Sequence, residues 1–149
     1  MFKKILFADD LSKRALRVLE VVLDLARRYG AELTILNVRE DFLSKAEMVM
    51  LRVDLSDFQD DMKEKALAVK EEVSDNIVAL KGQDVNYHLL LREGKPAEVI
   101  IDVARELEAD LIVVGTHGAS SLKYALFGST SQGVIRHAGR SVLAVWTGD

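Results

Sequence analysis

The chain has 149 residues, of which 49% are apolar and 30% charged, with no cysteine and a formal net charge of −4. That is the length of one domain and too apolar a composition for a disordered chain. The missing thiols exclude disulfides, thiolate metal centres and cysteine nucleophiles, and the acidic balance argues against a duplex-binding surface.

In chain order, Ile5 to Ala8 is a short apolar run, read as strand one. Ser12 is positioned to cap a helix whose inner face is Ala15, Leu16, Val18, Leu19, Val22, Leu23 and Ala26, with Gly30 at its end. Leu33 to Val38 reads as strand two. Residues 39 to 55 fit neither period and read as a long crossover containing a short helix. Ser56 and Gln59 form a capping-box pattern. From there Phe58, Met62, Ala66, Val69, Val73, Ile77 and Leu80 step by helical spacing up to Gly82. Val85 to Leu91 reads as strand three. Pro96 opens a third helix with Ile100, Val103, Ala104 and Leu107 inward. Leu111 to Val114 is strand four, Ser129 to His137 a fourth helix, and Ser141 to Trp146 strand five.

Strict strand–helix alternation predicts an α/β fold: one doubly wound domain with helices on both faces of a five-stranded parallel sheet. Strands one and four are continuously apolar, as central strands are, and strand three is polar at its start, which together give the order 3-2-1-4-5. Strand five is apolar on both faces, so an uncovered edge there would be adhesive. A second copy pairing through Val142 to Trp146 is the simplest cover; the alternative is burial by the fourth helix and the C-terminus. No apolar run approaches the roughly 20 residues of a membrane span. The chain meets Asp9 and Asp10 too early for a signal peptide, so the expected compartment is the cytoplasm, with no membrane and no nucleic-acid partner.

In a sheet of this order the ligand crevice lies between strands one and four. The loops there are Asp9-Asp10-Leu11-Ser12 and the long segment from Gly115 to Thr130. The second has the parts of an anion cradle. Gly115 and Gly118 let backbone amides approach a ligand, and Gly128-Ser129-Thr130 opens a helix whose free amides and dipole favour phosphate. The plainer reading makes Ser129 an N-cap completed by Gln132. His117 reads as a backbone contributor rather than a catalytic side chain, and Lys123 reads equally as a neutraliser of a γ-phosphate or as a solvated loop lysine.

The spacing Gly115-x2-Gly118-x9-Gly128-Ser129-Thr130 resembles the signature of the universal stress protein family, in particular its ATP-binding branch. Ile5 to Ser12 is similar to that family's opening strand and turn, and Gly94-Lys95-Pro96-Ala97 to its entry into the third helix. Ile135 to Ala138, followed by Val142 to Val145, resembles its closing helix and strand. The resemblance implies that Gly115, Gly118, Gly128, Ser129 and Thr130 hold phosphates and ribose. It implies that Asp10 binds toward the ribose or adenine, that Val38 meets adenine through its backbone, and that Ala8 and Val114 line the base pocket. It also implies ATP (or ADP or AMP) with Mg²⁺, a role in stress response, and dimerisation through strand five. Asp9, where the family more often has a neutral residue, and Gly139-Arg140-Ser141 depart from the pattern. Gly133 is out of place inside a helix.

The expectation is therefore a nucleotide-binding regulatory module. The alternative is a slow ATPase or adenylyl-transferring enzyme of the same fold. Gly94-Lys95-Pro96 lacks the upstream glycine and hydroxyl residue of a Walker A loop. A phospho-receiver reading of Asp9-Asp10 fails because strand three does not end in an acceptor Asp, nor strand five in a Lys.

Overall fold

The computed structural model describes residues 1–40, 55–117 and 127–148, without the side chains of residues 55–61. In chain order the elements are β1 (Lys4–Ala8), α1 (Lys13–Tyr29), β2 (Glu32–Arg39), α2 (Leu55–Ala79), β3 (Tyr87–Glu93), α3 (Pro96–Glu106), β4 (Leu111–Gly115), α4 (Ser129–His137) and β5 (Ser141–Val145). The five strands form one parallel sheet of order β3-β2-β1-β4-β5, as the sequence predicts. Most of the crossover over residues 39 to 55 lies outside the described residues, as do Gly118 and Lys123.

Alternation along the strands divides the core into two layers. Ile5, Phe7, Leu33, Ile35 and Val113 pack against α1 and α2, whereas Leu6, Leu36, Ile112 and Val114 pack against α3 and α4. The sheet is thus wound in one direction through β1, β2 and β3, and in the other through β4 and β5. Helix α1 follows its sequence signals at both ends: the Ser12 hydroxyl accepts from the Ala15 amide, and Gly30 takes the left-handed conformation at the C-cap.

Two boundaries differ from the sequence reading. Strand β3 starts two residues later than expected and runs to Glu93. Val85 is held back in a turn, its amide bonded to the Gly82 carbonyl, and the ladder to β2 extends to Arg39 opposite Glu93. In α2, Ser56 lies within the helix, whose described start is Leu55; the side chains of the expected Ser56–Gln59 capping box lie outside the described residues. The described part of its stripe behaves as expected, with Val69, Val73 and Ile77 buried.

Gly133 has a packing reason. A Cβ there would come within 2.9 Å of the Ala97 Cβ, so its absence lets α4 lie directly against α3. That close approach offsets the roughly 1 kcal/mol of helix propensity a glycine gives up. The Gly139-Arg140-Ser141 turn also has a function: the Arg140 guanidinium donates to the carbonyls of Ala104 and Ala109 at 2.8 and 2.7 Å, closing the end of α3.

Candidate functional site

Because α1 and α4 leave β1 and β4 toward opposite faces, a crevice opens above the carboxyl ends of those two strands. It forms a cavity of about 480 Å³, within the range of about 300–1,000 Å³ typical of small-molecule sites. Ala8, Asp10, Val38, Val114, Gly115, Gly128, Ser129 and Thr130 all line it. The structure thus gathers every described residue that the sequence nominated.

The two ends of the cavity differ in chemistry. One is apolar, built from Ala8, Leu36, Val38, Ile100 and Val114. At its rim β2 outruns β1. The last rung between them is Ala8 opposite Leu36, and the Leu36 carbonyl is taken by the Asp9 amide at 2.8 Å. In a parallel ladder the backbone groups of alternate residues point the same way. The amide and carbonyl of Val38 therefore face the β1 side, beyond the point where β1 has turned away. A donor and an acceptor are presented there in fixed order beside apolar side chains.

The other end is the start of α4. Gly128 is its N-cap, in extended conformation (φ −70°, ψ 165°), and supplies no capping side chain. Ser129 is the first helical residue, so the expected Ser129–Gln132 capping box does not form. The cap falls one residue earlier, and Gln132 Nε2 donates to the Phe127 carbonyl instead. The Gly128 amide is bonded to the Thr116 carbonyl at 2.6 Å. The amides of Ser129, Thr130 and Ser131 have no partner among the described residues. Three unpaired N–H groups and the positive end of a helix dipole thus border the cavity, which is what an oxyanion requires.

Among the described lining residues there is no Lys or Arg, and two carboxylates are present. They have separated, as strand alternation demands. Asp10 is exposed and its Oδ1 accepts from the Ser12 amide at 3.0 Å. Asp9 is buried on the α1/α2 side, where its Oδ1 accepts from the amide of Leu11, a residue at φ +61°. Burial pushes the Asp9 carboxyl up to about 6; the Leu11 amide opposes the rise, and the charges of Asp10 and Glu72 add to it. No group of three His, Asp or Glu among the described residues is arranged to hold a metal ion.

Sequence reasoning missed Pro96, Ile100, Phe127, Thr116 and Thr147, all of which line the cavity. Thr147 had a signal: it follows β5 at the same end of the sheet as the two nominated loops. His117 takes the structural role, buried, with its Nδ1 2.8 Å from the Thr116 hydroxyl and its ring edge-on to Trp146. Gly115 changes meaning. A Cβ there would meet the Thr147 and Val18 methyls at 3.2 and 3.3 Å, so its bareness makes room for those two side chains.

The sequence profile described as the Universal stress protein family matches residues 1–145. A universal stress protein of Thermus aquaticus is 34% identical over 148 residues, covering 97% of this chain and 99% of that protein. Among solved structures, the universal stress protein UspA from Lactobacillus plantarum superimposes with a TM-score of 0.77 at 27% identity, covering 97% of each chain. A universal stress protein solved in complex with cAMP gives a TM-score of 0.70 at 23% identity, covering 98% of each chain, a likeness of fold.

Proposed function

The chain belongs to the universal stress protein family, and on that premise we propose that it binds an adenine nucleotide at the crevice between β1 and β4. The observation that carries this reading is the start of α4: three amides with no partner among the described residues, bordering a cavity whose far end is apolar. The phosphates of ATP (or ADP or AMP) lie on the amides of Ser129 and Thr130, with Gly118 and Gly128 giving access. The adenine lies against Ala8, Val38 and Val114, its edge bonded to the Val38 backbone. Asp10 meets the ribose. Mg²⁺ accompanies the phosphates, because the described lining supplies two carboxylates and no basic side chain to neutralise a polyanion. That a protein of the same fold was solved with cAMP is consistent with this assignment.

The activity is binding rather than turnover: a cytoplasmic regulatory module of stress response. For occupancy to signal, the nucleotide must prefer one of two conformations or assembly states. Purified protein is expected to bind ATP in titration calorimetry, or to release an adenine nucleotide when denatured. Absence of both removes the assignment.

The second state is a homodimer paired through β5. No strand pairs with the outer edge of β5 among the described residues. Trp146 is 50% exposed and Ile135, on the adjoining α4, 45%. An edge with such side chains favours a partner of its own kind. Light scattering at micromolar concentration is expected to give the mass of two chains; a monomeric mass disproves the pairing.

A further inference from the structure

The least expected feature of the crevice is a buried hydroxyl network behind the phosphate end. Just past β5, the Thr147 hydroxyl accepts from the His117 amide at 3.0 Å and donates to the His117 carbonyl at 3.1 Å. The Thr147 amide donates to the Thr116 hydroxyl at 3.0 Å. Thr116 is the hub of the network. Its amide is bonded to the Val145 carbonyl of β5, and its carbonyl accepts from both the Gly128 amide and, at 3.3 Å, the Ser131 hydroxyl. The chain after β5 is thus tied to the first residues after β4, and these to the head of α4.

The neighbouring residues fit this closure. Thr116, His117 and Thr147 are all buried. Gly115 is bare where Thr147 packs, and a Cβ on Gly148 would overlap Trp146 and His117, at 2.7 and 3.1 Å. The contacts join residues 30 or 31 positions apart. They place no side chain on the amides of Ser129, Thr130 and Ser131.

We infer that Thr147 is a positioning residue for the phosphate end of the site: its hydroxyl holds the His117 backbone and lies 3.4 Å from the Thr116 hydroxyl, and through Thr116 it fixes the start of α4. This rests on the nucleotide-binding reading above. The physical effect is on the fraction of molecules whose α4 head is already in place. Apparent affinity falls in proportion to that fraction. Thr147→Val keeps the shape and removes the hydroxyl, and with it the two bonds to the buried His117 backbone.

The experiment is titration calorimetry of the full chain, stripped of nucleotide, with ATP. Thr147→Val is expected to bind about tenfold more weakly, a competent fraction of about one in ten. Thr147→Ser, which restores the hydroxyl, is expected to bind within about twofold of the wild type, since its donor and acceptor are the same. Equal ATP affinity in all three proteins overturns the positioning role, whatever happens to their melting temperatures. No ATP binding by the wild type overturns the nucleotide reading on which it rests, a different and separately visible failure. Hydrogen exchange on the wild type keeps the test open should Thr147→Val fold poorly. ATP is expected to slow exchange of the His117 and Thr147 amides, and unchanged exchange at saturating ATP refutes the coupling.

Discussion

Gly128→Asp is expected to stabilise the protein slightly while weakening ATP binding at least 100-fold. The two effects have opposite sign because they have one cause. An N-cap side chain folds over the free amides of the first helical turn. In this protein those amides belong to Thr130 and Ser131, and the N-cap contributes nothing to them. An aspartate there would satisfy one of them and complement the helix dipole, a gain of about 0.5 kcal/mol. The same carboxylate would occupy the anion's place and repel it. A unit charge about 4 Å from another, at an effective dielectric of about 20, is worth roughly 4 kcal/mol, more than enough for a 100-fold loss. The backbone at Gly128, with φ −70°, accepts any L residue, so misfolding is not the expected result. Gly128→Val separates sterics from charge, since it covers the amides with hydrocarbon and is also expected to abolish binding. Denaturant melts and calorimetry on the same samples read both effects. Full ATP affinity in both variants would place the phosphates elsewhere.

The parts of this fold legible in the sequence are those governed by local or periodic chemistry. The continuous apolar runs of β1 and β4 placed them at the centre of the sheet, and Ser12 and Gly30 marked both ends of α1. The crevice followed from strand order alone, and every described residue nominated for it lines it. The failures have a common character. Polar Arg92 and Glu93 hid the last rungs of β3, because pairing with β2 across the sheet, rather than their own propensity, makes them strand. Ser129 looked like the cap because its side chain can cap; the Thr116 carbonyl, bonded to the Gly128 amide, places the cap one residue earlier. The place of Thr147 after β5 pointed to the crevice, but its bonds carried no pattern, since its partners lie about 30 residues back in the chain. Gly115 and Gly133 read as freedom or weakness but mark places where another side chain comes close. In each case a contact between distant segments decided what a one-dimensional reading could not.

Asp9 gives the largest expected effect on stability. Its carboxyl titrates near 6 in the folded chain against 3.8 for an unperturbed aspartate, chiefly because it is buried. A raised pKa means that the folded state prefers the protonated form. The contribution of this group to stability is therefore complete below about pH 4 and is lost as pH rises through about 6, so that stability falls with pH across that window. The difference between the two pKa values corresponds to about 3 kcal/mol at neutral pH. The strain is retained because Asp9 has a second task. Its Oδ1 holds the Leu11 amide and so fixes a left-handed turn directly beside Asp10. Asp9→Asn keeps that acceptor and removes the charge. The variant is expected to exceed the wild type by about 1 kcal/mol near pH 4.5 and by about 3 kcal/mol at pH 7.5, as read from urea melts at the two pH values. A variant advantage that does not grow with pH would show that the carboxyl is ionised in the folded chain without penalty, and that the polar turn around it solvates the charge as well as water does.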